Sequence, residues 1–203
     1  DPGIAHFILA GTFGSEIILL FGTEEQKKKW VPPLVKAQAI TGAAITEPDA
    51  GSDVSSVRTT ATLEGNEYVI NGTKTFITGG TLADYLLVLC VTEPHAKSRH
   101  DRFSVIMVET DRKGFEATKL KHKLGLRASD TAEISFSDVR VPRENLIGPS
   151  GRGFQQFMVF FDHTRLHVAA EAVGLAQGAM EQAIQHVRKR QQFGKPLASF
   201  QVT

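Results

Sequence analysis

The chain has 203 residues, of which 41% are hydrophobic and 22% charged, as in an ordinary globular protein that folds around its own core. Lysine and arginine (23) exceed aspartate and glutamate (22) by one, so the net charge provides no general attraction to nucleic acid or to an anionic membrane. Cys90 is the single cysteine, which excludes an intramolecular disulfide and a Cys-x-x-Cys motif and is typical of a reducing compartment.

The first predicted elements are two short helices within residues 4–34. Apolar residues recur there at helical spacing, and Thr23 with Gln26 has the pattern of a capping box at the start of the second helix. We expect Pro32 and Pro33 to end that helix. The longest apolar run near the start, residues 17–21, is far shorter than the ~20 residues of a membrane helix, so no membrane span is expected.

Short β-rich runs follow, separated by turn residues, as in an antiparallel barrel or sandwich. Asn71 and Gly72 lie between two runs and predict a hairpin turn, because this pair accepts positive φ angles. A helical pattern returns after residue 153, and we expect Gly194 and Pro196 to end it. The sequence predicts an α+β multidomain protein with a helical segment (1–38), an antiparallel β-barrel middle domain (39–150) and the start of a four-helix bundle (151–203).

Residues 46–53, Thr-Glu-Pro-Asp-Ala-Gly-Ser-Asp, form the first segment that can carry chemistry. Small side chains leave the backbone N–H groups of such a loop free to approach an anion such as a pyrophosphate. An ordinary turn explains the same residues, and the spacing of the acids does not fit a calcium loop. We predict no metal site.

Residues 71–80 and 123–131 are the next candidates. Strand alternation puts Phe76 and Thr78 on one face, where a ring and a hydroxyl can meet a planar ligand. The alternative is a core aromatic beside a surface threonine. Arg127 can hold a phosphate or an interface, or it can belong to a solvated turn that Asp130 stabilises.

The predicted final helix carries two polar groups. Asp162 and Arg165 are three residues apart, so they share a helix face and can simply pair with each other. The basic residues 188–190 lie at a helix C-terminus, where the helix dipole favours cations without any ligand. One such cluster does not predict nucleic-acid binding.

In their order and separation, these segments resemble the acyl-CoA dehydrogenase family. The resemblance runs from Thr23 to Gln201 and rests on four motifs at residues 46–53, 71–78, 125–131 and 190–195. It implies a subunit with an N-terminal helical domain, a middle β-barrel and a C-terminal four-helix bundle that holds FAD. It also implies a homo-oligomer, a dimer or a tetramer, in the bacterial cytoplasm or the mitochondrial matrix.

By this resemblance, eight residues would bind FAD: Thr46, Gly51, Ser52, Phe76, Thr78, Arg190, Phe193 and Gln201. Phe76 would pack on the isoalloxazine ring, Thr78 would hydrogen-bond near its N5, and Arg190 would pair with the pyrophosphate in a neighbouring subunit. Ser52, Asp162 and Arg165 would contact an acyl-CoA substrate, because the last two match the family's Asp-x-x-Arg helix motif.

The implied reaction is the α,β-dehydrogenation of an acyl-CoA thioester to the 2-enoyl-CoA in β-oxidation of fatty acids. A carboxylate would remove the α proton while hydride leaves the β carbon, and the electrons would pass to electron-transferring flavoprotein. In a minority of the family, the catalytic base is a glutamate just before the arginine of the Asp-x-x-Arg motif. That position is Thr164 here, which has no usable basicity. We therefore assign no catalytic residue in this chain and expect the base downstream of Thr203.

Two alternatives remain open at this point. An acyl-CoA oxidase or a nitroalkane oxidase-like flavoenzyme would share these motifs but transfer electrons to oxygen. A non-catalytic module would keep the fold and lose the flavin, although the presence of Thr46, Thr78 and Arg190 argues against such loss. The motifs do not predict the length or branching of the acyl chain.

Overall fold

A computed structural model of the chain describes residues 2–200, without the side chains of residues 2, 5, 7 and 9. Its α helices are α1 (Pro2–Ala10), α2 (Ser15–Phe21), α3 (Glu24–Val35) and α4 (Gly153–Lys189). Its strands are β1 (Thr41–Ala44), β2 (Thr60–Glu64), β3 (Glu67–Thr78), β4 (Tyr85–Val91), β5 (Phe103–Glu109), β6 (Phe115–Lys119), β7 (Thr131–Pro142), β8 (Leu146–Ile147), β9 (Gln191–Gln192) and β10 (Lys195–Pro196). The chain divides into two compact units between Phe161 and Asp162, and each is described by itself.

Three helices, rather than the predicted two, precede the sheet. The capping box at the start of α3 is confirmed, because the Thr23 hydroxyl accepts from the Gln26 amide (3.2 Å) and the Gln26 side chain accepts from the Thr23 amide (2.9 Å). The prediction that Pro32 and Pro33 end this helix is wrong, since α3 continues to Val35. A proline removes only its own N–H, and Lys36 N–H still donates to the Pro32 carbonyl (3.2 Å).

The middle of the chain forms one mixed sheet of eight strands, in the order β6-β7-β3-β2-β4-β5-β8, with β1 paired to β4. The pairings of β1 and β2 with β4 are parallel, and the others are antiparallel. The predicted antiparallel barrel is therefore corrected to an open, mixed sheet. Closure requires the end strands to pair, and β6 and β8 do not pair within the described residues.

The hairpin turn was predicted at the wrong position. Asn71 and Gly72 lie inside β3, at a shift in its register with β7, and the turn between β2 and β3 is formed by Gly65 and Asn66. Gly72, at φ 149°, approaches Thr59 so closely that an added Cβ would lie 2.5 Å from its hydroxyl oxygen. A glycine is needed here for close approach of two segments rather than for a turn.

The sheet of the first unit lies between two apolar clusters. Alternate residues of β4 divide between them, with Leu87 and Leu89 in one cluster and Leu86 and Val88 in the other. The first cluster also contains residues of α2, α3 and the start of α4, and the second is formed by the sheet itself and its neighbouring segments. Since residues of β5 and β7 meet in the second cluster, the sheet curls around it without closing.

The second unit contains the rest of α4 and the β9–β10 hairpin. The helix ends at Lys189, before the predicted breakers, and Gly194 instead forms the hairpin turn with Phe193, both at positive φ (77° and 51°). The four-helix bundle stays a prediction. Among the described helices, none is long and apolar enough to cross a membrane.

Candidate functional site

The loop that follows β1 is a closed turn with an exposed tip. Glu47 and Ala50 exchange two backbone hydrogen bonds (2.9 and 3.1 Å), which confirms the turn interpretation of this sequence. A Cβ added at Gly51 would meet no atom within 4 Å, and Ser52 is exposed. Gly51 and Ser52, which follow the turn, are thus accessible to a ligand, so an ordinary turn and a binding loop are compatible.

Beneath this turn lies a buried ion pair. The Lys74 ammonium is fully buried (0% exposed) and lies 2.9 Å from Glu47 Oε1. It also donates to the Ile45 carbonyl (2.9 Å). Burial lowers the pKa of Lys74, against the opposing effects of Cys90 and Glu47. The pair joins β3 to the start of the loop.

Glu47 is held from the other side as well. Its carboxylate accepts hydrogen bonds from the Thr59 hydroxyl (2.6 Å), the Thr59 amide (2.9 Å) and the Arg58 amide (2.8 Å). Burial acts to raise the pKa of Glu47, but the charge of Lys74 and these hydrogen bonds outweigh it, and the pKa is lowered. The carboxylate therefore stays ionised and joins the start of the loop to residues 58 and 59, which follow the loop.

Phe76 is presented on the surface by a distortion of β3. The register of β3 against β7 shifts between Lys74 and Ile77, and Phe76 has the left-handed φ of 58°. Its side chain is 69% exposed, and Thr78 is half-buried. The alternative of a core aromatic is therefore wrong. A non-glycine residue in this conformation is uncommon and is often found at functional positions.

Thr46 and Phe76 lie close together. The Thr75 amide donates to the Thr46 carbonyl (2.9 Å), so the residue before Phe76 is bonded to the first residue of the loop. On the neighbouring strand β1, a Cβ added to Gly42 would lie 2.9 Å from the Thr78 carbonyl oxygen. The fold thus brings together residues from two segments that are separate in the sequence: Thr46 from the first, and Phe76 and Thr78 from the second.

Asp53 closes the loop at its other end. It accepts from the hydroxyls of Ser55 (2.5 Å) and Ser56 (2.6 Å), and Arg99 donates to it (2.8 Å). The hydrogen bonds from Ser55 and Ser56, together with the weaker effects of Arg99 and against desolvation, lower the pKa of Asp53 to about 2. In the described part of the chain, no group of three or more histidine, cysteine, aspartate or glutamate residues could hold a metal ion.

The turn at residues 123–131 supports the end of β3. Asp130 is buried, accepts from the Thr81 amide (2.9 Å) and, through its carbonyl, from the Gly79 amide (3.1 Å). Arg127 is exposed and donates to the Lys123 carbonyl (3.0 Å). A cavity of about 400 Å³ lies beside it, lined by residues 119–123 and Arg127. These contacts agree with the turn that Asp130 stabilises and assign Arg127 no ligand.

In the second unit, Asp162 and Arg165 pair with each other on α4. Their charged atoms are 3.5 Å apart, and both side chains are well exposed to solvent. An exposed pair of this kind contributes little to stability, about 0–1 kcal/mol. The geometry leaves both groups accessible to a ligand.

The remaining predicted cofactor residues lie after α4. Arg190 is exposed beside the β9–β10 hairpin, where its carbonyl accepts from the Leu197 amide (2.9 Å). Phe193 is 92% exposed, and its ring centroid lies 6.2 Å from that of Phe200. Gln201 lies outside the described residues.

Sequence reasoning included Lys74 and Glu47 in the motifs but gave neither a role. The available signal was Lys74 itself, a cation between the β-branched residues Thr73 and Thr75 of a predicted strand. A lysine is almost never fully buried unless it is paired, so burial at this position would require a partner. The identity of its partner could not be read, since the two residues are 27 positions apart. Thr59 carried no signal at all.

Sequence models of three domains match the chain. They are described as the acyl-CoA dehydrogenase N-terminal domain (residues 1–38), middle domain (42–139) and C-terminal domain (151–203). Together they account for nearly the whole chain. The motifs that suggested the family are thus joined by matches along the full length.

Two curated relatives are similar over most of this chain. An acryloyl-CoA reductase (NADH) of Anaerotignum propionicum is 44% identical over 188 residues, which cover 92% of this chain and 47% of that protein. A short-chain specific acyl-CoA dehydrogenase of Clostridium acetobutylicum is 43% identical over 180 residues, covering 89% of this chain and 47% of that protein. The chain therefore spans about half the length of these relatives.

Solved structures agree with these matches. An acyl-CoA dehydrogenase from Geobacillus kaustophilus has a TM-score of 0.90 at 43% identity and covers 93% of this chain and 50% of its own. A glutaryl-CoA dehydrogenase from Mycobacterium smegmatis, in complex with FADH2, has a TM-score of 0.91 at 34% identity and covers 100% of this chain and 51% of its own. This chain belongs to the acyl-CoA dehydrogenase family of flavoprotein oxidoreductases.

Proposed function

We propose that this chain is part of an FAD-dependent acyl-CoA dehydrogenase that converts an acyl-CoA thioester to the 2-enoyl-CoA. The observation that carries the proposal is the presentation of Phe76. Its ring is 69% exposed in a left-handed backbone conformation, beside Thr46 and two residues from Thr78. Exposing an aromatic ring in a strained conformation gives the isolated chain no benefit, whereas a planar ligand would cover the ring.

The residues present fit a flavin. A planar ring system needs an apolar surface and a few fixed polar groups; Phe76 supplies the surface, and Thr46 and Thr78 supply hydroxyls and backbone groups. The accessible residues Gly51 and Ser52 have the small side chains that let backbone N–H groups approach a pyrophosphate. Arg190 and Phe193, with Gln201 beyond the described residues, would serve the FAD of a neighbouring subunit in a homo-oligomer.

FAD, when bound, supplies the acceptor for the hydride that leaves the β carbon. The residues of this chain would orient and shield the reacting centre: Phe76 would cover the ring against water, and Thr78 would donate a hydrogen bond to it. Ser52 would meet the acyl-CoA, and Asp162 and Arg165 would bind its CoA portion. Such positioning is a large part of what proteins add to cofactor chemistry.

The base that removes the α proton would come from outside this chain. Two acids of the loop, Glu47 and Asp53, are already held by hydrogen bonds, and both have lowered pKa values. A carboxylate with a pKa of about 2 is a poor proton acceptor at neutral pH. Neither of these two acids is therefore suited to remove the α proton.

The proposal also includes the class of the substrate and the protein that accepts the electrons. Relatives that are named for acryloyl-CoA and for short-chain acyl-CoA support an acyl-CoA substrate. We propose electron-transferring flavoprotein as the acceptor. The name of the NADH-dependent reductase among these relatives favours one second candidate, the reverse reduction of an enoyl-CoA.

The visible absorption spectrum of the purified full-length protein tests the proposal. A flavin spectrum that bleaches on addition of butyryl-CoA under anaerobic conditions is the expected result. A protein that stays colourless after incubation with FAD would overturn the proposal and favour the non-catalytic module. Re-oxidation by oxygen with abundant peroxide would favour the oxidase, and bleaching by NADH instead of butyryl-CoA would favour the reductase.

A further inference from the structure

Lys74 stands out among the described residues as a fully buried cation whose partners all lie on one side. Its ammonium contacts the Ile45 carbonyl and Glu47, each at 2.9 Å. These two residues flank Thr46. Removing a charge from water is costly, and a buried ion pair often contributes little net stability. The pair therefore calls for an explanation other than stability alone.

The network of Lys74 fixes the loop at three points. Lys74 holds Ile45 and Glu47, at the beginning of the loop, against β3, and the contacts of Glu47 with Arg58 and Thr59 hold the segment that follows the loop. The Thr75 amide adds a bond to the Thr46 carbonyl. Thr46 thus lies between two residues that contact the Lys74 ammonium, and its own carbonyl is bonded to the residue after Lys74.

The same lysine lies where β3 departs from regular pairing. Lys74 pairs with Ile134 of β7, the next paired residue of β3 is Ile77, and the bulge between them contains Phe76. A residue in a left-handed conformation persists only where its surroundings fix it. The buried ammonium holds the last regular residue before the bulge.

We infer that Lys74 is a positioning residue, whose ammonium sets the spacing between the loop at Thr46 and the exposed ring of Phe76. Glu47 completes the device by accepting a hydrogen bond from the ammonium and directing it toward the loop. The consequence for flavin binding rests on the function proposed above. The consequence for the loop itself does not, because the hydrogen bond between Thr75 and Thr46 belongs to the protein alone.

Two readouts on the full-length protein test this role. The first is hydrogen exchange of the Thr75 amide in protein stripped of flavin, and the second is flavin binding, followed by the visible spectrum and the reduction potential. We expect Lys74→Met to speed Thr75 exchange about tenfold, by local opening. We also expect it to weaken flavin binding roughly 10- to 100-fold, because the loop and the ring would no longer be preorganised for the ligand.

The matched control is Ile70→Ala, also on β3 and fully buried. It loses core packing without touching the loop, so it should lower the melting temperature while the Thr75 exchange rate stays near that of the wild type and bound flavin keeps its spectrum. Glu47→Gln should behave like Lys74→Met. If Lys74→Met fails to fold, Lys74→Met with Glu47→Gln replaces it, since no charge of the pair then stays buried.

Each outcome decides the inference. Unchanged Thr75 exchange in Lys74→Met overturns it, as does a change that Ile70→Ala reproduces in full. Faster exchange confined to the Lys74 and Glu47 variants supports it, even if the wild type binds no flavin. A wild type that binds no flavin would refute the proposed function, but Lys74 would still be the residue that positions the loop.

Discussion

Lys74 and Phe76 are two residues apart on β3, yet the Lys74 side chain is fully buried and the Phe76 side chain is 69% exposed. Regular alternation would put both on the same face of the sheet. The bulge between Lys74 and Ile77 breaks the alternation, as β-bulges do when they redirect a side chain. One distortion thus buries the cation that holds the loop and presents the ring beside it.

The conformation of Phe76 can be tested with two substitutions. Phe76→Gly should be more stable than Phe76→Ala by about 0.5–1 kcal/mol, because only glycine adopts a φ of 58° without strain. Both should bind flavin more weakly than the wild type. Urea unfolding and flavin titration measure these effects, and Leu124→Ala, at an exposed leucine, is the control that should keep flavin. Equal stability of the two variants would contradict the strain.

Because Lys74 and Glu47 form a buried ion pair, we expect substitutions of the two residues to have strongly non-additive effects on the unfolding free energy. Lys74→Met alone and Glu47→Leu alone should each destabilise the fold by about 3–5 kcal/mol, because each leaves a buried charge without its partner. The double variant should be far more stable than the sum implies. Urea unfolding of the four proteins gives the coupling energy, and additive losses would argue against a direct interaction.

Glu47 also predicts the behaviour at acid pH. Its folded pKa lies below the ordinary value of 4.5, so its stabilising contribution is complete above pH 4.5 and is lost as the pH falls through the lowered folded pKa. The slope contributed by this one proton is at most about 1.4 kcal/mol per pH unit. The difference in unfolding free energy between wild type and Glu47→Gln should shrink over that range. A difference that stays constant would assign the acid sensitivity to other carboxylates.

Cys90 should be inert in the native protein. Burial raises the pKa of its thiol to about 12, although the charge of Lys74 acts to lower it, and only the thiolate reacts. We expect a thiol reagent at pH 8 to leave Cys90 unmodified in the folded protein and to modify it in denaturant. Mass spectrometry of the peptide that contains Cys90 reports both. Rapid native modification would show that the strand β4 opens.

Substitution of Arg165 can distinguish a structural role of this side chain from a role in binding the substrate. Because its pair with Asp162 is exposed, Arg165→Ala should change stability by less than about 1 kcal/mol. If the residue binds the CoA portion, the KM for acyl-CoA should rise while the flavin spectrum stays the same. Steady-state kinetics and thermal melting of the full-length protein distinguish the two. A large loss of stability with unchanged KM would favour the structural role.

The sequence by itself determined the family, the order of helical and β segments and the capping box at Thr23 and Gln26. These are encoded locally: a motif, a period or a cap depends on residues a few positions apart. The same locality explains the loop of residues 46–53, whose turn follows from proline, glycine and small polar residues.

Only the tertiary structure decided how the strands pair and which residues are buried. The strand β4 lies buried on both faces, so its apolar run had no alternation to read, and whether the sheet closes depends on strands far apart in sequence. Asn71 and Gly72 favour a turn, yet the contacts of β3 with β7 keep them within a strand. The burial of Lys74 depended in the same way on Glu47 and Thr59, since a charge can be buried only where distant groups satisfy it.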